Sequence, residues 1–330
     1  MVIPGGAQGS APRSLQRDRR DPYSAVWSIS VGQEFSKGFV GEARYAGSVG
    51  HKLFTPAYLN LIDARTGRRP LEQFGRIDEE SNAGNSNFHG LILTARRSLT
   101  TGLFWETHYM WSHSIDDNSA GGGEAAPQNA NCRQCERASS DFDVRHSMNT
   151  NFVYHLPTEG LRLPPLARKL LGHWDLSGTA TARTGCAVNV TLARSSSDLP
   201  DGNSENQRPD VVPGAGWVPR GGATADHWIN ASAFAVPATG RWGNAGRNPV
   251  RGPVLWETSV ALSKRVPLNE RVSLQFRAEA FNLLNRSQLG NPAAELSSPS
   301  TFGRILTPMN AEVTGASTAR QMQFLLRLVF

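Results

Sequence analysis

Nine stretches of this chain place large apolar residues at every second position, and the connections between them are short and long in strict turn. A period of two marks strands with unlike faces, one toward an apolar medium and one toward a polar medium. The closing stretch, RQMQFLLRLVF, sets Met322, Phe324, Leu326, Leu328 and Phe330 on one face. Gln321, Gln323, Leu325, Arg327 and Val329 take the other. In RVSLQFRAEAF, Val272, Leu274, Phe276, Ala278 and Ala280 oppose Ser273, Gln275, Arg277 and Glu279. YSAVWSISVG, FVGEARYAGS, NFHGLILTARR, LFWETHYMWSH, HSMNTNFVYHL and VLWETSVALSK follow the same rule. The ninth strand is expected from Gly172 to about Leu192, with RTGCAV as a glycine kink or bulge inside it.

The connections carry more information than the strands. QEFSKG, SLTTG and VPLNE are short, and the segment from Pro157 to Leu171 is somewhat longer. The four others cover about residues 50–86, 114–145, 193–252 and 283–319. Soluble domains use mostly short connections, whereas membrane barrels combine short periplasmic turns with long extracellular loops. The expected fold is all-β, an antiparallel transmembrane β-barrel. Phe330 then closes the last strand at the periplasmic rim, and Trp27, Trp105, Trp111, Trp174 and Trp256 sit in interfacial girdles.

Following the strand directions back from the last one places residues 1–22 outside, as the remnant of an extracellular loop. Nine strands with an external N-terminus make an incomplete barrel, because complete single-chain barrels have an even strand number and both ends in the periplasm. Open edges in lipid also cost several kcal/mol for each unpaired backbone group. Residues 23–330 are therefore expected to be the C-terminal portion, about nine strands, of a larger barrel.

Composition excludes other classes. Hydrophobic residues are 39% of the chain, and no stretch approaches the roughly 18 apolar residues of a spanning helix. The net charge of +6 comes from scattered arginines, without a basic helix or Lys-rich tail, so nucleic acid is not an expected partner. The first 22 residues lack the apolar core of a signal peptide, which a secreted or outer-membrane protein needs, so either the chain is cytoplasmic or its natural N-terminus lies upstream.

Several stretches resemble one family, the Oar-like TonB-dependent transporters, notably of the acidobacterial type. They include DRRDPYSAVWSISVGQEF, YAGSVGHKL, YMWSHSIDDNS, SDFDVRHSMNTNFVYHLP, WDLSGTATARTG, WINASAFAVPATGRWGNAGRNPVRGP and RVSLQFRAEAFNLLNRSQLGNP, with FGRI before the closing strand. The resemblance implies a plugged barrel of 22 strands. It also implies an upstream plug, a TonB-contacting segment, a signal peptide and often a carboxypeptidase-regulatory-like domain, none of which this sequence contains. The TonB complex would act only through that plug. Other implied partners are outer-membrane lipid, the barrel assembly machinery reading the closing strand (Phe324, Leu326, Leu328, Phe330), and a small-molecule, glycan or peptide substrate. No cofactor is implied. The competing readings are a surface adhesion protein of the outer membrane and a secreted, soluble, glycan-binding β-sandwich.

The candidate site residues are the charges of the polar face: Glu42, Arg44, Arg96, Glu106, His108, Glu257, Arg277, Glu279 and Arg327. They either solvate the interior and pair across strands or hold the plug, for which Arg277, Glu279 and Arg327 are the first choice. HSIDDN and SDFDVRH carry Asp116, Asp117, Asp141 and Asp143. Oxygen ligands at this density suit Ca²⁺, but the spacing fits no EF-hand. Solvated carboxylates, with Asp143 pairing Arg145, are the simpler reading. Cys132 and Cys135 in CRQC have redox or half-zinc spacing, yet no second such pair exists, and a local disulfide is expected in an external loop. Gly121–Gly123 precedes no helix and is not a phosphate cradle. No HExxH or GxSxG occurs, and no enzyme activity is expected.

Overall fold

The computed structural model describes residues 12–35, 38–98, 102–119, 127–157, 164, 167, 171–309 and 319–330. Parts of QEFSKG and SLTTG, the Gly121–Gly123 run, most of the segment between Pro157 and Leu171, and residues 1–11 and 310–318 fall outside them. Nine long strands form the frame: β1 (Tyr23–Glu34), β2 (Phe39–Leu59), β3 (Ile77–Arg97), β4 (Leu103–Asp116), β5 (His146–His155), β6 (Trp174–Arg183), β7 (Leu255–Pro267), β8 (Ser273–Phe281) and β9 (Gln321–Val329). Each pairs with the next in chain order, always antiparallel, in one sheet. Eight reversals leave β1 and β9 running the same way, and among the described residues these two are the sheet's open edges. Two short strands join from the side: Arg13–Leu15, parallel to the start of β3, and Ala138–Ser139, on the end of β4.

The sheet has unlike faces, as its sequence pattern requires. Ile29, Val31, Phe324 and Leu326 are between 65% and 71% exposed, and Trp27, Trp111 and Trp256 are exposed on the same side. A soluble sandwich would bury these side chains between two stacked sheets. Here no second layer covers them among the described residues, so the sandwich reading fails. The buried apolar core lies instead in the loops: Val188, Val190, Ile229, Ala233, Phe234, Val250 and Phe302 pack together, with Trp217 and Trp228 against them.

Two strand boundaries differ from expectation. β2 and β3 are each 21 residues long, so much of the connection expected near 50–86 is a continued ladder, and only 60–76 joins the strands. The first half of β3 (IDEESNAGNS) carries polar residues on both faces, whereas the paired end of β2 keeps Leu53, Phe54, Tyr58 and Leu59. Thr55 and Ser81 close a buried hydroxyl bond of 3.0 Å within this extension. β6, in turn, ends at Arg183 and does not continue through RTGCAV. After Gly185 the chain leaves the sheet, and Ala187–Val188 pairs with Val250–Arg251 in a separate ribbon. Gly185 is required there, since a Cβ would lie 1.9 Å from the Gly252 carbonyl oxygen.

Candidate functional site

Cross-strand register places Glu42, Thr94, His108, Asn149, Thr181 and Glu257 opposite one another across six strands, in one polar row. Directly opposed residues share a face of the sheet. The next row holds Val40, Arg96, Glu106, Asn151, Thr179 and Ser259. Within these rows Thr94 Oγ1 lies 3.0 Å from His108 Nδ1, Thr181 donates to Asn149 Oδ1 at 3.0 Å, and Arg44 pairs with Glu42 at 2.9 Å. Glu106 stands 3.6 Å from His108. Glu42, Arg44, Thr94, Arg96, Glu106 and His108 line a hollow of about 250 Å³.

The same face continues to the β9 edge. Glu279 sits between Ala261 of β7 and Gln323 of β9, and Arg277 between Ser263 and Leu325. Arg277 and Glu279 form an ion pair of 2.7 Å along β8. Arg327 is opposite Gln275, one diagonal step from Arg277. The register therefore gathers the expected charges into two clusters, one on β2–β4 and one on β8–β9, with Glu257 in the row between them.

The four loop aspartates are not gathered as a ligand shell. Each meets an arginine. Asp116 is bonded by Arg247, Asp117 by Arg133 at 3.3 Å, Asp141 by Arg247 at 3.2 Å, and Asp143 by Arg251 at 2.6 Å and Arg145 at 3.3 Å. Asp116, Asp117 and Asp143 are buried, which corrects the expectation of solvated carboxylates; Asp141 alone is exposed. Burial is tolerated because each carboxylate is paired and hydrogen-bonded. Asp143 also accepts from the Ser114 backbone N–H at 2.7 Å, and Asn248 donates to Asp141 at 2.6 Å.

Sequence reasoning missed a sixth pair, Arg208 with Glu136, which lies deepest of all. It also missed Arg247 and Arg251 as partners. Both stand in the WGNAGRNPVRGP stretch, but no spacing rule connects them to acids more than 100 residues earlier. Arg247 fastens the 184–254 loop, the cap of the structure, to the end of β4 on its polar side, and Arg208, Arg247 and Arg251 fasten it to the 127–145 segment. Ser112 Oγ donates to the Val144 carbonyl at 2.9 Å, and Ser114 Oγ meets Ser140 Oγ at 2.9 Å on that same side. Cys132 and Cys135 are joined by a disulfide within the adjoining turn, and Cys186 is a free thiol. Asp201, also in the cap, has its carboxyl pushed above the ordinary range by burial, against the lowering effect of the Asn203 N–H that it accepts.

The arrangement offers a polar wall beneath a roof of tightly paired loops, with an apolar outer surface. The family model for the outer membrane beta barrel domain matches residues 4–323. No curated protein sequence matches the chain. Among solved structures it is similar to the outer membrane transporter YddB from Escherichia coli, with a TM-score of 0.52 and 12% identity over 97% of this chain and 34% of that one. The ferric-catecholate import receptor Fiu from K12 E. coli gives a TM-score of 0.45 and 12% identity over 95% and 28% of the two chains. A mutant of the ferric enterobactin receptor PfeA from Pseudomonas aeruginosa gives 0.45 and 12% over 93% and 31%. The first likeness bears on fold alone. The chain thus spans about a third of the length of YddB. With its antiparallel strands, its outward apolar face and a family match over nearly its whole length, the chain belongs to the outer membrane beta barrel domain family and resides in the outer membrane of Gram-negative bacteria.

Proposed function

We propose that this chain forms the C-terminal part of the wall of an energy-coupled outer-membrane transporter of the Oar-like, TonB-dependent type. In this reading residues 12–22 belong to an extracellular connection, and the loops near 50–86, 114–145, 193–252 and 283–319 face the medium and capture the substrate. Further strands complete the barrel, and a plug within it is displaced when the TonB complex draws on the inner-membrane proton gradient. Barrel assembly machinery would read the closing strand through Phe324 and Phe330.

The observation that supports this most is the union of two features on one side of the sheet. A continuous polar face runs from Glu42 to Arg327, and loops fastened by buried ion pairs sit at its outer end. A wall that only needed to be wet would not require ion pairs between residues 131 positions apart to fix the loops above it. Arg277, Glu279 and Arg327 are the residues assigned to holding the plug, with Glu106, His108 and Glu257 along the substrate path. The substrate class is a small molecule, glycan or peptide.

A photo-crosslinking residue at Glu279, in living cells, tests this reading. Crosslinks to a plug domain are expected, with a yield that rises when an uncoupler collapses the proton gradient. A yield indifferent to the uncoupler, or crosslinks only to lipid, would overturn it.

A further inference from the structure

The apolar face changes character toward its outer end. Tyr45, Leu91 and Trp111 stand in one row, with the apolar band extending inward from it through Leu93. The rows beyond it on this face place His89 opposite His113, then Val49 opposite Asn87, then His51 opposite Asn85. Residues 127–137 fold back over this strip. Arg137 donates to Asn87 Oδ1 at 2.6 Å, and Arg133 reaches Asp117 at 3.3 Å. The space between has a volume of about 720 Å³, with His51, Asn85, Asn87, His89, Arg133 and Arg137 in its wall.

Two observations give this cavity a positive character, and a third sets a lysine beside its wall residue His51. Arg137 is exposed, and no carboxylate among the described residues forms an ion pair with it. Arg133 uses one nitrogen on Asp117, while its Nε and Nη1 are buried without a hydrogen-bond partner. Lys52 occupies a β-bulge with a left-handed φ of 54°, where the register slips between His51 and Leu53. Its ammonium lies 5.7 Å from the centre of the Tyr23 ring, and Tyr23 is the register partner of His51. The bulge therefore turns Lys52 onto the same side as His51, where regular alternation would have sent it to the other. Asp117 is the one acid among the wall residues.

We propose that this shelf binds the phosphorylated headgroup of a glycolipid of the outer leaflet. The occupant is fixed by continuity. The cavity opens directly above an exposed apolar band, so a molecule with both hydrocarbon chains and phosphates satisfies both parts at once, and a soluble anion satisfies only one. The acyl chains lie along Leu91, Leu93 and Trp111, and the phosphates meet Arg133, Arg137 and Lys52. Guanidinium forks match phosphate oxygens in pairs, and basic residues at a membrane surface draw anionic headgroups toward them. Asn85 and Asn87 face the sugar hydroxyls. The inference rests on the outer-membrane assignment and is independent of transport.

Native mass spectrometry of the full chain in a neutral detergent tests it, with bisphosphorylated lipid A, dephosphorylated lipid A and inorganic phosphate as probes. Bisphosphorylated lipid A should remain bound. The dephosphorylated form should bind about tenfold or more weakly, as should the bisphosphorylated form on Arg137→Glu. Arg220→Glu, an exposed reversal in the cap away from the shelf, should bind like the parent. Equal retention of the two lipids, no effect of Arg137→Glu, or displacement by an equimolar amount of inorganic phosphate would each overturn the proposal. The comparison of the two lipids needs no variant and so stands even if Arg137→Glu assembles poorly.

Discussion

Arg208 and Glu136 meet in a two-point ion pair, at 2.5 Å and 2.9 Å, with only 3% and 2% of their side chains exposed. Arg208 Nε also donates to the Ala245 carbonyl, and Glu136 accepts the Gln128 backbone N–H, so the pair ties three loop segments together. Removing one partner leaves a buried charge without its counterion. Glu136→Ala should therefore destabilise the loop cap by about 3–5 kcal/mol. Limited trypsin digestion would read this as early cleavage at cap arginines, with the strands still protected. The double change Arg208→Met with Glu136→Leu should recover most of the loss.

Gly185 marks the point where the chain leaves β6, and an added methyl would meet the Gly252 carbonyl oxygen at 1.9 Å. Gly185→Ala must push the two backbones apart and weaken the Val188–Val250 pairing. A cost of about 1–3 kcal/mol is expected, from the scale of overpacking effects. Hydrogen exchange should show it as faster exchange at residues 187–188 and 250–251, with β7 and β8 unchanged.

Asp201 is buried, and its Oδ2 has no hydrogen-bond partner among the described residues. Its raised carboxyl value means that the fold favours the protonated form. The associated stability is fully present below the ordinary carboxylate range and is lost as pH rises through the raised value. Asp201→Asn should accordingly melt higher than the parent at pH 7, and the difference should vanish at pH 3. A constant difference at both values would show that charge is not the cause.

Leu93 and Thr94 are neighbours in sequence on opposite faces of β3. Leu93 lies on the exposed apolar face, and Thr94 bonds His108 on the polar face opposite Glu42. Leu93→Lys should cost about 2–4 kcal/mol if it lies near the bilayer midplane. Thr94→Lys gains Glu42 as a register partner and should change stability by about 0.5 kcal/mol or less. Unfolding in urea from lipid vesicles, followed by gel mobility, separates the two.

The strand frame and its faces were legible because a sheet between lipid and water must alternate, and Phe324, Leu326 and Leu328 can do nothing else on one strand. The outer halves of β2 and β3 were not legible. In β3, Asp78, Glu79 and Glu80 follow one another with no alternation to betray a strand. The opposite error arose after β6. Val188, Val190 and Leu192 keep the period of two, but they serve the small core of the cap and not the sheet. The ion pairs were hidden for another reason: Asp116 and Arg247 are brought together only by the fold, and nothing local marks either as half of a pair. The polar-face charges were found by parity alone, which gives the side of the sheet and not the neighbours.

The shared direction of β1 and β9 has an arithmetic consequence. Two copies of this sheet placed in a ring would meet at two seams where like-directed strands touch, and neither seam could continue the antiparallel ladder. An even-numbered cylinder results only when an odd number of strands fills the gap. Self-association is thereby an unsuitable way to close an antiparallel wall, and under the proposed function the complement is a different stretch of polypeptide.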